Sequence, residues 1–99
     1  MQSAYDECFS REMGCTEAEW LAWLPDAIGP MDWRREGSGA VVHIGEGSLS
    51  LDWCAGPPRV IASVRLPRLV VGFRFEGVDA RQRLAFMKRF DLYMQRGGG

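Results

Sequence analysis

The hydrophobic positions of this chain follow two different periods. In "SAYDECFSREM", Tyr5, Cys8, Phe9 and Met13 recur at i, i+3, i+4 and i+8, which predicts one apolar stripe of a helix. Gly14 stands where a glycine would stop it. "TEAE" then reads as a capping box, with Thr16 as N-cap and Glu19 reaching back. It predicts a second helix with Trp20, Leu21, Trp23 and Leu24 on its buried side. Pro25 ends that helix or begins one more turn, and "PDAIGPM" reads as a connecting loop.

From Asp32 the period is two. "DWRRE", "AVVHIG", "SLSLDWC", "RVIASVR" and "RLVVGFRFE" read as strands, separated by "GSG", "EG" and "AGPP" as turns and by Pro67 as a turn or bulge. Leu49, Leu51 and Trp53 alternate with Ser48, Ser50 and Asp52. Val60, Ala62 and Val64 alternate with Arg59, Ile61, Ser63 and Arg65. Leu69, Val71, Phe73 and Phe75 alternate with Arg68, Val70, Gly72 and Arg74. Short connections imply antiparallel neighbours with one face packed on a core. The period then returns to that of a helix. Asp79 is its N-cap, with Gln82 three residues on. Ala80, Phe86, Met87, Phe90, Tyr93 and Met94 gather on one side; Arg81, Lys88, Arg89 and Arg96 gather on the other, with Leu92 among them.

The predicted class is therefore α+β: two N-terminal helices, a four- to five-stranded antiparallel sheet, and a C-terminal amphipathic helix packed across one sheet face. In topology alone this order resembles helix-grip folds, in which a long final helix crosses a curved antiparallel sheet.

Ninety-nine residues make a single domain, 1–99. The four tryptophans supply much apolar area for that length. No stretch approaches the ~18 apolar residues of a membrane span. The first residues carry acids where a signal peptide needs bases, so a cytoplasmic location is expected, with no membrane partner. Three cysteines, an odd count, are not a disulfide framework. The net charge of −1 hides a segregation. Residues 1–50 hold nine acids and three arginines; residues 51–99 hold four acids and nine bases. An acidic side and a basic side are expected.

Candidate chemistry is sparse. The closing glycines Gly97–Gly99 resemble the tail that ubiquitin-like proteins and sulfur carriers present for adenylation. Here, however, the tail follows a helix rather than a β-grasp strand, and a helix stop with a flexible end is the expectation. His43 and Cys54, with Asp52 to orient the imidazole, are the residue types of an activated thiol. Cysteine is more often a packing residue, and nothing in the spacing brings the three together. Cys8 and Cys15 are seven apart, too far for one turn to deliver two zinc ligands, so neither metal nor cofactor is expected. Phosphate-loop, dinucleotide and common hydrolase motifs are missing from the sequence, which argues against an enzyme.

The arginines are the most distinctive set. Arg59, Arg65, Arg68 and Arg74 are expected on the outward sheet face, interleaved with Ile61 and Val70. Arg81, Lys88, Arg89 and Leu92 are expected on the outward side of the last helix. Arginine beside exposed aliphatics suits a protein contact. The face has no aromatic pair for stacking bases, and the pI of about 5.8 argues against nucleic acid. The first expectation is thus a protein-interaction module that binds itself, as a homodimer, or another protein. The alternative is a small-molecule binder or minor enzyme with a pocket between sheet and final helix, lined by Trp53, Phe73, Phe75, Phe86 and Tyr93. A third is binding of an anion or nucleic acid through the arginines.

Overall fold

The computed structural model describes residues 4–96. Its elements are β1 (Cys8–Met13), α1 (Glu17–Ile28), β2 (Trp33–Glu36), β3 (Gly39–Ile44), β4 (Gly47–Ala55), β5 (Arg59–Ile61), β6 (Val64–Leu66), β7 (Leu69–Glu76) and α2 (Ala80–Arg96). Five strands form one sheet in the order β1-β7-β4-β3-β2, and every pairing is antiparallel. β5 and β6 form a separate two-stranded ribbon. The α+β class and the final helix packed on the sheet agree with the sequence reading; the two N-terminal helices do not.

The first expected helix is the edge strand β1. Its residues alternate between outward Cys8, Ser10 and Glu12 and inward Phe9, Arg11 and Met13. Tyr5, Phe9 and Met13 are four apart, a spacing that places them on one side in either period. What decides between them is β7, whose backbone groups on one side need partners. β1 supplies these from Cys8 opposite Arg74 to Met13 opposite Leu69.

The second correction concerns "RVIASVR". It is a hairpin rather than one strand. The chain reverses at Ala62 and Ser63, and Val60, Ala62 and Val64 are all exposed instead of facing a core. The second expected helix is present, begins at the Thr16–Glu19 capping box, and runs through Pro25 to Ile28, so the connecting loop starts only at Gly29.

The core lies between one sheet face and the two helices. Leu49, Leu51, Trp53, Leu69, Val71, Phe73 and Phe75 point into it from β4 and β7. Trp20, Leu24 and Ile28 enter from α1, and Phe86, Met87, Phe90 and Met94 from α2. Phe90 stands edge-on to both Trp20 and Phe73 and stacks on Phe86, with ring centroids 5.6–5.8 Å apart. The aromatic cluster is the joint at which sheet and helices meet.

Polar groups tie the layers at their edges. Arg11, inward on β1, lies over the rings of Tyr5, Phe9 and Phe73 and forms a two-pronged ion pair with Asp91 of α2. The Tyr5 hydroxyl donates to the same carboxylate at 2.8 Å. Burial raises the Tyr5 pKa, and the Asp91 hydrogen bond adds to that. Burial alone would lower the pKa of Arg11, but Asp91 outweighs it and holds the guanidinium charged. Trp53 Nε1 donates to Glu17 at 2.9 Å, joining β4 to the start of α1. At the other end of α1, whose last turn holds no basic residue, Arg89 of α2 donates to the Asp26 carbonyl at 3.1 Å. Its side chain crosses Gly29, where a Cβ would stand 2.3 Å from Nε. A cation there is favourable because the helix end carries partial negative charge.

Two substitutions probe this arrangement. Phe90→Ala removes the centre of the aromatic cluster and is expected to cost ~3–5 kcal/mol in urea unfolding. Asp91→Ala leaves a half-buried guanidinium without its partner and is expected to cost about 1.5–3 kcal/mol. A loss below about 1 kcal/mol for Phe90→Ala would show that α2 is not docked through it.

Candidate functional site

The sheet face away from the helices is open and mostly small or polar. One row across it runs Cys8, Arg74, Ser50, Val41 and Arg34; another runs Glu76, Ser48 and His43. Arg74 is the one member of the expected arginine set on this face; Arg59 and Arg65 lie on the ribbon, and Arg68 sits in the link between β6 and β7. His43 is exposed and level with Ser48. Cys54 lies six residues further along β4, about 20 Å away at the strand repeat, so the thiol and imidazole do not meet.

The five aromatic residues expected to line a pocket are distributed differently. Trp53, Phe73, Phe75 and Phe86 are buried in the packed core, and Tyr93 is half-buried beneath the Arg89 guanidinium, 4.4 Å from its ring centre. Phe86 also borders a crevice of about 360 Å³ between the end of α1, α2 and the β3–β4 turn, with Ile28, Met31 and Ile44 as its other apolar walls. On α2, Arg81, Lys88 and Leu92 are exposed, whereas Arg89 is committed to α1 and Tyr93. Gly97–Gly99 lie outside the described residues.

The ribbon is the feature that sequence reasoning missed. Its backbone extends the β4–β7 hairpin past the sheet. β4 and β7 pair as far as Ala55 opposite Leu69; after residues 56–58 on one strand and 67–68 on the other, pairing resumes at Arg59 opposite Leu66. The strands thus enter the ribbon with one residue more on the β5 side, a bulge at which Pro57, Pro58 and Pro67 withdraw backbone donors. The turn has no glycine. Ala62 adopts φ 54°, and it is the one non-glycine residue with positive φ among the described residues. A two-residue hairpin turn asks for positive φ at this first position, which glycine meets without strain and alanine meets at a cost of about 1–2 kcal/mol.

Exposed aliphatics concentrate on this ribbon. Val60 is 60% exposed, Ile61 52%, Val64 55% and Leu66 41%; the remaining large exposed hydrophobic among the described residues is Leu92. Ile61, Val64 and Leu66 share one face with Arg59, while Val60 and Arg65 share the other. Arg59 and Leu66 also wall a crevice of about 360 Å³ against Met13 and Gly14 at the end of β1. Arg68 closes its base through an ion pair with Glu12. No carboxylate pairs with Arg59, Arg65 or Arg74 among the described residues. The ribbon thus holds four aliphatic side chains out in water with two guanidinium groups beside them that no carboxylate neutralises.

The cysteines differ in reach. Cys8 and Cys54 are exposed and Cys15 is buried. Burial raises the Cys15 thiol above its ordinary 9.0, and Glu19 raises it further. A disulfide-exchange reagent is therefore expected to label two thiols in the folded protein and the third only in denaturant. The raised value also fixes a sign: the unfolded chain gives up this proton at lower pH than the folded one. Cys15 contributes its full stabilisation below about pH 9, and the contribution falls as pH rises through the folded-state value. Cys15→Ala should flatten that alkaline decline in stability measured by urea titration.

Among the described residues no helix is long and apolar enough to cross a membrane. No known family, curated protein or solved structure matches the chain.

Proposed function

We propose that this protein is a protein-interaction module and that the β5–β6 ribbon is its recognition element. The observation that carries the reading is the exposure of Val60, Ile61, Val64 and Leu66 on a ribbon that adds nothing to the core. Full burial of such a side chain stabilises by ~1.5–3 kcal/mol, so covering the three that share a face, each about half exposed, offers on the order of 2–4 kcal/mol to an association. Arg59 and Arg65 supply charge at the rim, where it steers encounter and selects an acidic partner. The sheet and helices act as the rigid body that holds the ribbon out. Nucleic-acid binding finds less support, because the arginines are divided between the two ribbon faces and the open sheet face, with no aromatic platform beside them.

The reading is tested by excising the ribbon. The Gly56 amide donates to the Arg68 carbonyl at 2.8 Å, so the strands are close enough at that point for a short turn to join them. A chain in which residues 57–67 are replaced by Asn-Gly is expected to fold with a thermal midpoint within a few degrees of the parent. In the parent, a photo-crosslinking residue at position 60 in living cells of the source organism should capture protein, self or other. The same residue at position 48, on the open sheet face, should not. Absence of any protein adduct from ribbon positions would overturn the proposal.

A further inference from the structure

We infer that the ribbon's partner is α1 of a second copy of this chain, in a two-fold dimer where each ribbon lies along the other copy's helix; this rests on the ribbon being the recognition element. The two surfaces are complementary in charge and shape, and one molecule carries both but does not bring them together.

Between Trp53 and Phe75 the chain holds four arginines and no acid. Between Glu17 and Ile28 it holds three acids and no base. Both segments are exposed where the other would need them. On α1 the buried side is Trp20, Leu24, Ala27 and Ile28, and the opposite side centres on exposed Ala18 and Ala22, with Pro25 beside them. These small side chains let a flat ribbon approach the helix closely. Leu21 and Trp23, both half-buried, form apolar flanks on either side of that strip. Glu19 and Asp26 stand exposed towards its two ends. The ribbon face with Ile61, Val64 and Leu66 supplies the apolar counterpart, and Arg59 on that same face supplies the opposite charge, with Arg65 adding to the field from the ribbon's other face. The contact is not made within one molecule, since those aliphatics remain 41–55% exposed. A standard interface buries ~1,600 Å², more than one short ribbon on one helix provides, and the two-fold arrangement doubles the contact without requiring any other surface.

The test uses the full chain. Sedimentation across concentration is expected to show a monomer–dimer equilibrium whose Kd rises at least tenfold between 0.05 and 0.5 M salt, as ~14 Å screening shortens to ~4 Å. Arg59→Glu with Arg65→Glu should leave a folded monomer. So should Ala22→Arg with Asp26→Arg, which leaves the Thr16–Glu19 cap untouched. Mixed together, the two double variants should pair as a heterodimer with one parental contact and one charge-swapped contact, glutamates of the ribbon against arginines of α1, and sediment as a dimer. A photo-crosslinking residue at position 64 should give an adduct of twice the monomer mass, mapping to peptides of α1. A monomer at every concentration, a dimer cross-linked ribbon to ribbon, failure of the mixed variants to associate, or binding of a monomer to anionic phospholipid vesicles would each overturn the inference. Ribbon cross-links to a different protein would also overturn it, while leaving the ribbon as the recognition element.

Discussion

The position of Phe90 governs the rest of the molecule. It meets Trp20 of α1 and Phe73 of β7 edge-on, so one ring fixes the distance between both helices and the sheet. Rings in this geometry gain from their quadrupoles as well as from burial. With α2 seated there, Arg11 reaches Asp91 and β1 is held against β7; without it, a guanidinium would sit among three aromatic rings with no counter-charge. The Arg89 cap on α1 follows from the same seating, since Arg89 and Asp91 stand on either side of Phe90 and reach in opposite directions from α2, one to α1 and the other to β1.

Much of this order was legible in the sequence because several signals agreed. The capping residues Thr16, Glu19, Asp79 and Gln82 place the starts of both helices. Period-two alternation places β3, β4 and β7, where one face is buried and the other is not. β1 was hidden because Arg11 occupies an inward position. Read from sequence it is a polar residue that breaks the alternation, and only the fold brings Asp91, eighty positions away, to neutralise it. The ribbon was hidden for a related reason. A turn is recognised by glycine, asparagine or aspartate, and Ala62 takes a left-handed conformation that its side chain does not advertise. With the turn unseen, Val60, Ala62 and Val64 in alternation read as the inward face of one strand.

The charge segregation also has a different meaning in three dimensions. Part of it is spent inside one molecule, where Glu12 from the acidic half pairs with Arg68 from the basic half, whereas the Arg11–Asp91 pair joins the minority charge of each half and leaves the segregation as it was. Among what is left over, α1 carries three acids and no base, and the ribbon carries two arginines and no acid. A charge count over halves of the chain cannot distinguish these two uses, because it ignores which groups the fold has already paired.

The extra residue at the foot of the ribbon has a mechanical consequence. A continuous ladder would transmit every fraying of the tip into β4 and β7; the bulge and its prolines interrupt the ladder between residues 55 and 59. Few buried contacts and a broken ladder are the physical conditions under which a segment opens locally, so the ribbon's amides are expected to exchange with solvent sooner than those of β4 and β7. It can unzip, re-form or change its sequence without taxing the core.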